Sequence, residues 1–176
     1  TLGAGVLPGV MVGAGGLGGA GGAGRIASAG GAGGVIGTGA NVPVILPVQG
    51  TATYTVTVAS ANMGAPFDAL YGWDSQNTTI AVQGQQPFTA ALGGGYGACR
   101  VMLKPGPGAS GGGSSNYLNI NAGYTVGGHG VPGQGHDGGI ANSTAFSGGG
   151  GGYGSPGNAN NGGDGFDLAT ALNLDP

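Results

Sequence analysis

The chain has 176 residues, of which 48 are glycine and only 5 % are charged. Glycine averages about 7 % of ordinary proteins, so the chain is not a typical globule. A net charge of −3 and 39 % hydrophobic residues also exclude a highly charged disordered polymer. Three Lys and Arg residues give no electrostatic footprint for nucleic acid. No apolar run reaches the length of about 18 residues that a membrane span needs, so we predict one domain without nucleic-acid binding or a membrane span.

The ends and the single cysteine add two expectations. The N-terminal residues contain no basic region, so no signal peptide is predicted, and a start at Thr1 indicates a mature or internal fragment. One cysteine, Cys99, allows neither an internal disulfide nor a cysteine-based metal site. Its apolar flanks predict an inert, buried thiol.

Residues 1–40 are dominated by Gly and Ala, with glycines spaced three apart. An α-helix is excluded here because each interior glycine costs about 1 kcal/mol relative to alanine. A period of three matches the polyproline-II type of helix, which has three residues per turn and no internal hydrogen bonds. Such helices are stable only in bundles, because buried backbone groups must be paired. Three rows carry the pattern: Gly13, Gly16, Gly19 and Gly22; Gly15, Gly18, Gly21 and Gly24; and Gly31, Gly34 and Gly37.

Residues 41–104 are predicted to be β-structure. The run 42–48 leads through Gly50 into 53–58, which predicts a hairpin. In the second run Tyr54, Val56 and Val58 alternate with threonines, as in a half-buried strand. Further strands are predicted at 78–82 and 98–103.

Residues 105–165 form a second glycine-rich segment, and 166–176 form a C-terminal tail able to make a short helix or a terminal strand. The predicted fold is therefore mostly irregular and all-β. It is a bundle of polyglycine-II-like helices packed with a small antiparallel β-sheet, with little or no α-helix.

Motifs that suggest a cofactor are explained more simply by composition. Residues 13–18 spell G-x-G-x-x-G, but a dinucleotide site needs a helix next and an acidic residue about 20 positions on. More glycines follow instead, and the first acidic residue is Asp68. We predict no cofactor.

Metal and catalytic motifs are equally weak. His129 and the neighbouring pair His136 and Asp137 resemble fragments of a metal site or a catalytic triad, but the chain has no Glu and no G-x-S-x-G. Residues 162–167 contain a single copy of a calcium turn that works only when several copies stack. We predict neither a metal site nor catalytic residues.

Aromatic side chains are the candidate binding residues. Phe67 and Trp73 have two possible roles, since they could fill the small β-core or belong to a recognition surface, where Tyr and Trp are common. The candidate receptor-binding residues are Phe67, Tyr71, Trp73, Tyr117, Tyr124 and Phe146. They fall in or beside loops at 62–76, 114–125 and 140–147.

Several motifs follow one another in an order that resembles a known family. They are Val12-Gly-Ala-Gly-Gly, Pro47-Val-Gln-Gly-Thr-Ala-Thr-Tyr-Thr-Val-Thr-Val58, Ala91-Leu-Gly-Gly-Gly-Tyr96, Gly148-Gly-Gly-Gly-Gly-Tyr-Gly154 and Gly162-Gly-Asp-Gly165. The order is similar to the glycine-rich, polyglycine-II-type domains of bacteriophage tail fibres, tail-tip adhesins and bacterial surface proteins. The resemblance implies packed glycine helices with variable loops that touch a host receptor. It also implies an extracellular location on a virion or a cell surface.

Composition and resemblance together predict a non-enzymatic structural and adhesive module, part of a phage tail fibre or its receptor-binding tip. Its expected partners are a host surface receptor, protein or glycan, other copies of itself, and other structural proteins of an oligomeric assembly. Two alternatives stay open. One is a structural subunit of an extracellular filament or sheath. The other is an ice- or glycan-binding protein that uses the threonine row Thr53, Thr55 and Thr57.

Overall fold

The computed structural model contains short β-strands and a set of glycine-rich segments. It describes residues 5–6, 10–12, 28–37, 45–46, 52–60, 75–87, 89–98, 104–115, 126–142, 147–167 and 169–170. The strands are β1 (Gly5–Val6), β2 (Val10–Val12), β3 (Val35–Gly37), β4 (Ile45–Leu46), β5 (Tyr54–Thr57), β6 (Thr78–Val82) and β7 (Thr89–Ala91).

All described strand pairs are antiparallel. β1 pairs with β4, β2 pairs with β3, and a three-stranded sheet has the order β5-β6-β7. Ile80 of β6 is buried with Ile36 and Ala91, and Tyr54 packs against this cluster. Thr, Val and Ile are common in these strands because β-branched side chains fit a pleated surface. The predicted small antiparallel sheet and the predicted strand at 78–82 are confirmed.

The predicted hairpin between 42–48 and 53–58 is wrong. β4 pairs with β1, and β5 pairs with β6, where Thr57 lies opposite Thr79. The run 53–58 is also less buried than its alternation predicts, since Val56 is 59 % exposed and Val58 is 73 % exposed. The strand predicted at 98–103 lies outside the described residues except for Ala98.

Glycine-rich segments outside the strands form the rest of the described fold, called the glycine lattice below. In chain order they are g1 (28–34), g2 (92–98), g3 (104–108), g4 (109–115), g5 (126–131), g6 (135–141), g7 (147–152) and g8 (155–165). g1 continues directly into β3, and β7 continues directly into g2. The sheets and the lattice are therefore joined covalently at two places.

Segment g4 lies at the centre of the lattice and is buried along its whole length. Each of residues 109–114 both donates and accepts a backbone hydrogen bond, at 2.7–3.2 Å. The partner segment repeats every three residues in five of the six donor and acceptor pairs, and the donors Ala109 and Gly112 are the exception. Ser110 and Gly113 donate to g1, Gly111 and Ser114 donate to g6, while Ala109 and Gly112 donate to g2 and g3. The carbonyls of Ser110 and Gly113 accept from g2, and those of Gly111 and Ser114 accept from g7. The carbonyls of Ala109 and Gly112 accept from g5.

The six segments bonded to g4 form a closed ring around it. The order around the ring is g1, g2, g3, g5, g6 and g7, and g8 lies outside g6 and g7. Backbone hydrogen bonds join each neighbouring pair in the ring: Gly31 N to Gly95 O, Gly106 N to Tyr96 O, Gly108 N to His129 O, Gly138 N to Gly128 O, Gly139 N to Gly149 O, and Ala32 N to Gly151 O.

Glycine is required in g4 because the neighbouring backbones leave no room for a side chain. A Cβ atom on Gly112 would overlap the carbonyl oxygen of Tyr96, and one on Gly113 would overlap that of Gly148. These obstacles are backbone atoms fixed by their own hydrogen bonds, so they cannot rotate away as a flexible side chain could. The segments can therefore form a full set of backbone hydrogen bonds only where they approach closely, and this close approach requires glycine.

Three buried serines of the lattice form hydrogen bonds through their hydroxyl groups. The Ser28 hydroxyl donates to Ser114 O at 2.7 Å, and the Ser110 hydroxyl donates to Gly152 O at 3.0 Å. The hydroxyl oxygen of Ser114 accepts from Ala141 N at 2.8 Å. At the junction with the sheet, Gln134 accepts from Leu92 N at 2.9 Å. Each bond satisfies a polar group that burial would otherwise leave unpaired.

Helical structure is almost absent from the described chain, as the sequence predicts. Among the described residues, only Ala169 and Thr170 are in helical conformation. Asp167 precedes them, and its carboxylate accepts hydrogen bonds from the Thr170 hydroxyl and N–H. The hydrogen bond from the Thr170 hydroxyl, and to a smaller extent that from the Thr170 N–H, lower the pKa of the Asp167 carboxyl. The hydrogen bonds between Asp167 and Thr170 therefore stabilise the fold when the pH is above the ordinary pKa of a carboxyl group. This stabilisation is lost as the pH falls through the lowered pKa of Asp167. No helix in the described part could cross a membrane.

Replacing Gly112 by Ala should destabilise the protein severely. The added methyl group meets fixed backbone atoms of g2, so we expect a loss of about 3 kcal/mol of unfolding free energy, or no folding at all. Urea denaturation followed by circular dichroism measures this change. Gly165→Ala is the matched control, because no atom lies within 4 Å of its added Cβ, and it should change stability by less than about 1 kcal/mol. Equal stability of the two variants would contradict the close packing of g4.

Two adjacent buried serines should respond differently to alanine. Ser114→Ala removes the acceptor of Ala141 N–H, so we expect a loss of about 1–3 kcal/mol. The hydroxyl of Ser115 is buried without a hydrogen-bond partner among the described residues, so Ser115→Ala should be neutral or stabilising. Thermal unfolding of both variants checks the difference, and an equal loss in both would argue against this hydrogen-bond assignment.

Candidate functional site

None of the six aromatic residues predicted to bind a receptor can be placed on the structure. Phe67, Tyr71, Trp73, Tyr117, Tyr124 and Phe146 all lie outside the described residues. Of the predicted recognition loops, only short flanking stretches are described. Their binding role stays a prediction, and the candidate site below is built from other residues.

A tight turn between g5 and g6 shapes one rim of the lattice. Gln134 N donates to Val131 O at 3.0 Å, and Gly133 has a φ of 84°. Pro132 followed by a glycine with positive φ is typical of a type II turn. The turn reverses the chain, so g5 and g6 run side by side, joined by the bond from Gly138 N to Gly128 O at 2.9 Å.

Segment g6 presents side chains on only one side. Gly135, Gly138 and Ala141 are buried at three-residue spacing, whereas His136 and Asp137 are exposed. The backbone of these exposed residues is nonetheless fixed, because His136 N donates to Gly152 O and Gly157 N donates to Asp137 O, both at 3.0 Å. The lattice therefore holds two polar side chains at its rim on a hydrogen-bonded backbone.

The Asp137 carboxylate is anchored and still accessible. Its Oδ1 accepts from Gly130 N at 2.7 Å, and its Oδ2 lies 3.6 Å from His129 Nδ1. The Asp137 side chain is 58 % exposed and that of His129 is 81 % exposed. An ion pair this exposed contributes little to stability and exists only when the imidazole is protonated. The sequence suggested His136 beside Asp137, whereas the fold brings His129 to the carboxylate.

Two open depressions meet at Asp137. One has a volume of about 410 Å³ and is bordered by Pro132, His136, Tyr153 and Pro156. The other, of about 420 Å³, is bordered by Val126, His129, Ile140 and Asn158. Glycine residues contribute to the lining of both depressions. The two depressions are called the Asp137 cleft below.

Two further side chains give the cleft an aromatic wall and an amide. Tyr153 packs edge-on against Phe166, with ring centroids 4.9 Å apart and an interplanar angle of 73°. Asn158 Oδ1 accepts from Asn160 N and Asn161 N, both at 2.9 Å. These two bonds fix the amide orientation and leave its NH₂ group as a donor.

The carboxylates of the calcium-like turn have local partners instead of a shared centre. Asp164 Oδ2 accepts from the Ser155 hydroxyl at 3.0 Å, and Asp167 accepts from Thr170. Within the described ranges, no group of three or more His, Cys, Asp or Glu side chains could hold a metal ion.

Sequence reasoning did not identify the cleft, although one signal was present. Asp137 is the only acidic residue between Asp74 and Asp164, and the chain's two histidines lie close to it in sequence. An isolated carboxylate inside a glycine-rich stretch is exposed by default, because its neighbours cannot bury it. Tyr153 had no comparable signal beyond being an aromatic residue next to glycines.

Comparisons with protein-family models, with curated proteins and with solved structures found no match to this chain.

Proposed function

We propose that this chain is a non-enzymatic structural and adhesive module of a virion or cell surface, part of a phage tail fibre or its receptor-binding tip. The lattice would be a polyglycine-II-type bundle that serves as a rigid support. Residues at its rim and in its loops would contact the host receptor.

The polyglycine-II assignment is supported by the hydrogen bonds of g4. Partner segments recur at every third residue in five of the six donor and acceptor pairs of g4, which matches a helix with three residues per turn. Glycine at the close approaches allows such helices to exchange backbone hydrogen bonds with neighbours on all sides. This repeating exchange of backbone hydrogen bonds is the observation that supports the proposal of a rigid structural module.

The adhesive part is supported by the contrast between the interior and the rim. Interior positions of g4 are Gly, Ala and Ser, whereas the Asp137 cleft collects carboxylate, imidazole, amide and aromatic groups. Rigid backbone under exposed polar and aromatic side chains lowers the entropic cost of binding. A surface of this type suits recognition outside the cell.

One alternative, a subunit of an extracellular filament or sheath, rests on low charge and small side chains. The other, ice or glycan binding by the threonine row, has one structural observation in its favour. Thr53, Thr55 and Thr57 are all exposed, the last two on the edge strand β5. The row is short, so we place it third.

Immunogold electron microscopy of intact virions and cells from the source culture tests the proposal. With an antibody raised against the whole chain, we expect gold particles at the distal ends of tail fibres or on fibre tips. Pre-immune serum is the control.

Label repeating along a filament or sheath would favour the structural-subunit alternative and contradict the tip role. Label confined to the cytoplasm would contradict both. Sedimentation of the purified chain adds an independent reading, because a filament subunit should assemble with rising concentration and a tip module should not.

A further inference from the structure

The Asp137 cleft combines accessibility with a fixed geometry. Backbone hydrogen bonds hold g6 on two sides, from His136 N to Gly152 O and from Gly157 N to Asp137 O. The carboxylate itself is fixed by Gly130 N at 2.7 Å. A ligand that binds here would not have to order the site, so even a modest set of contacts can give measurable affinity.

The hydrogen-bonding groups of the cleft suit hydroxyl groups. The Asp137 carboxylate has unused acceptor capacity, because the described contacts are one N–H and a distant imidazole. Asn158 offers the NH₂ donors of an amide whose oxygen is already occupied. A hydroxyl both donates and accepts, so a ligand that carries several hydroxyls can pair with both groups.

The apolar surfaces of the cleft suit C–H groups rather than a long hydrocarbon chain. The Tyr153 ring and the rings of Pro132 and Pro156 border one depression. Val126 and Ile140, which are 53 % and 48 % exposed, border the other. These surfaces are separated by glycine backbone and polar groups, so neither depression is a deep apolar pocket. Alternating small apolar and polar patches match the faces of a sugar ring.

Charge narrows the ligand class further. Asp137 is the acidic group of the cleft, and Lys104 is the one Lys or Arg among the described residues and borders neither depression. An acidic sugar would therefore meet a carboxylate without a compensating guanidinium or ammonium group, and like charges repel.

We infer that the Asp137 cleft binds a neutral saccharide. The carboxylate of Asp137 and the amide of Asn158 hydrogen-bond its hydroxyls, and Tyr153 packs against its C–H face. This inference rests on the proposed adhesive function and deepens it, since it names the ligand class and the binding residues.

Nuclear magnetic resonance titration of the full chain tests the inference. The probes are the methyl glycosides of glucose, galactose, mannose and N-acetylglucosamine, plus glucuronic acid as the acidic comparison. Probe concentrations of about 20 mM suit a shallow site with a Kd on the order of 1 mM. We expect saturable shifts of the Gly130, Asp137 and Asn158 amides with at least one neutral probe, and none with glucuronic acid.

Substitutions separate binding from folding. Asp137→Asn keeps an oxygen for Gly130 N but loses the charge, and we expect at least about a tenfold weaker Kd. Tyr153→Ala should also weaken binding, and Asp137→Asn remains informative if that variant does not fold. Asp164→Asn makes the same charge change outside the cleft and should bind as the unmodified chain does.

The inference is overturned if no neutral probe gives saturable shifts, if the shifts map to β5 instead, or if Asp137→Asn leaves the Kd unchanged. Failure of this inference is distinguishable from failure of the proposed function. Gold label on fibre tips together with unchanged sugar binding in Asp137→Asn would remove only the cleft assignment.

Discussion

Backbone hydrogen bonds between closely spaced chain segments hold this fold together, and they depend on the absence of side chains at the approaches. In g4, residues 109–114 exchange bonds with all six surrounding segments. Each bond contributes a net stability of only about 0.5–1.5 kcal/mol, but the bonds share one geometry. A single Cβ at Gly112 or Gly113 would push a neighbour away and disturb several bonds together.

Apolar side chains and backbone hydrogen bonds stabilise different regions of the described fold. The described cluster of Ile36, Ile80 and Ala91, with Tyr54 against it, is small and lies where β3, β6 and β7 meet the start of the lattice. The lattice interior instead contains mainly glycine, alanine and serine, and the hydroxyl groups of Ser110 and Ser114 are hydrogen-bonded there. Glycine loses more backbone entropy on folding than other residues do. Backbone hydrogen bonding is densest in g4, which neighbouring segments surround on all sides, and there it offsets that loss.

The sequence predicts local structure better than it predicts which strands and segments lie next to one another. The three-residue glycine spacing, the strand at 78–82 and the scarcity of α-helix follow from residue types alone. Strand pairing did not follow, because β5 and β6 are separated by a long stretch of chain. The run around β4 lies nearer to β5 in sequence and was therefore predicted as its hairpin partner. The cleft was missed for a similar reason. His129 and Asp137 meet only because the turn at Gly133 brings g5 beside g6. Glycine segments carry no side chains that would specify which neighbours they join.

Amide hydrogen exchange, measured residue by residue on the full chain, tests most directly whether g4 is the stable centre of the fold. The amides of residues 110–114 should exchange most slowly, more slowly than those of the three-stranded sheet, because their bonds open only when the ring around g4 opens. Exchange of these amides as fast as that of the exposed residues of g8 would contradict a hydrogen-bonded lattice built around g4.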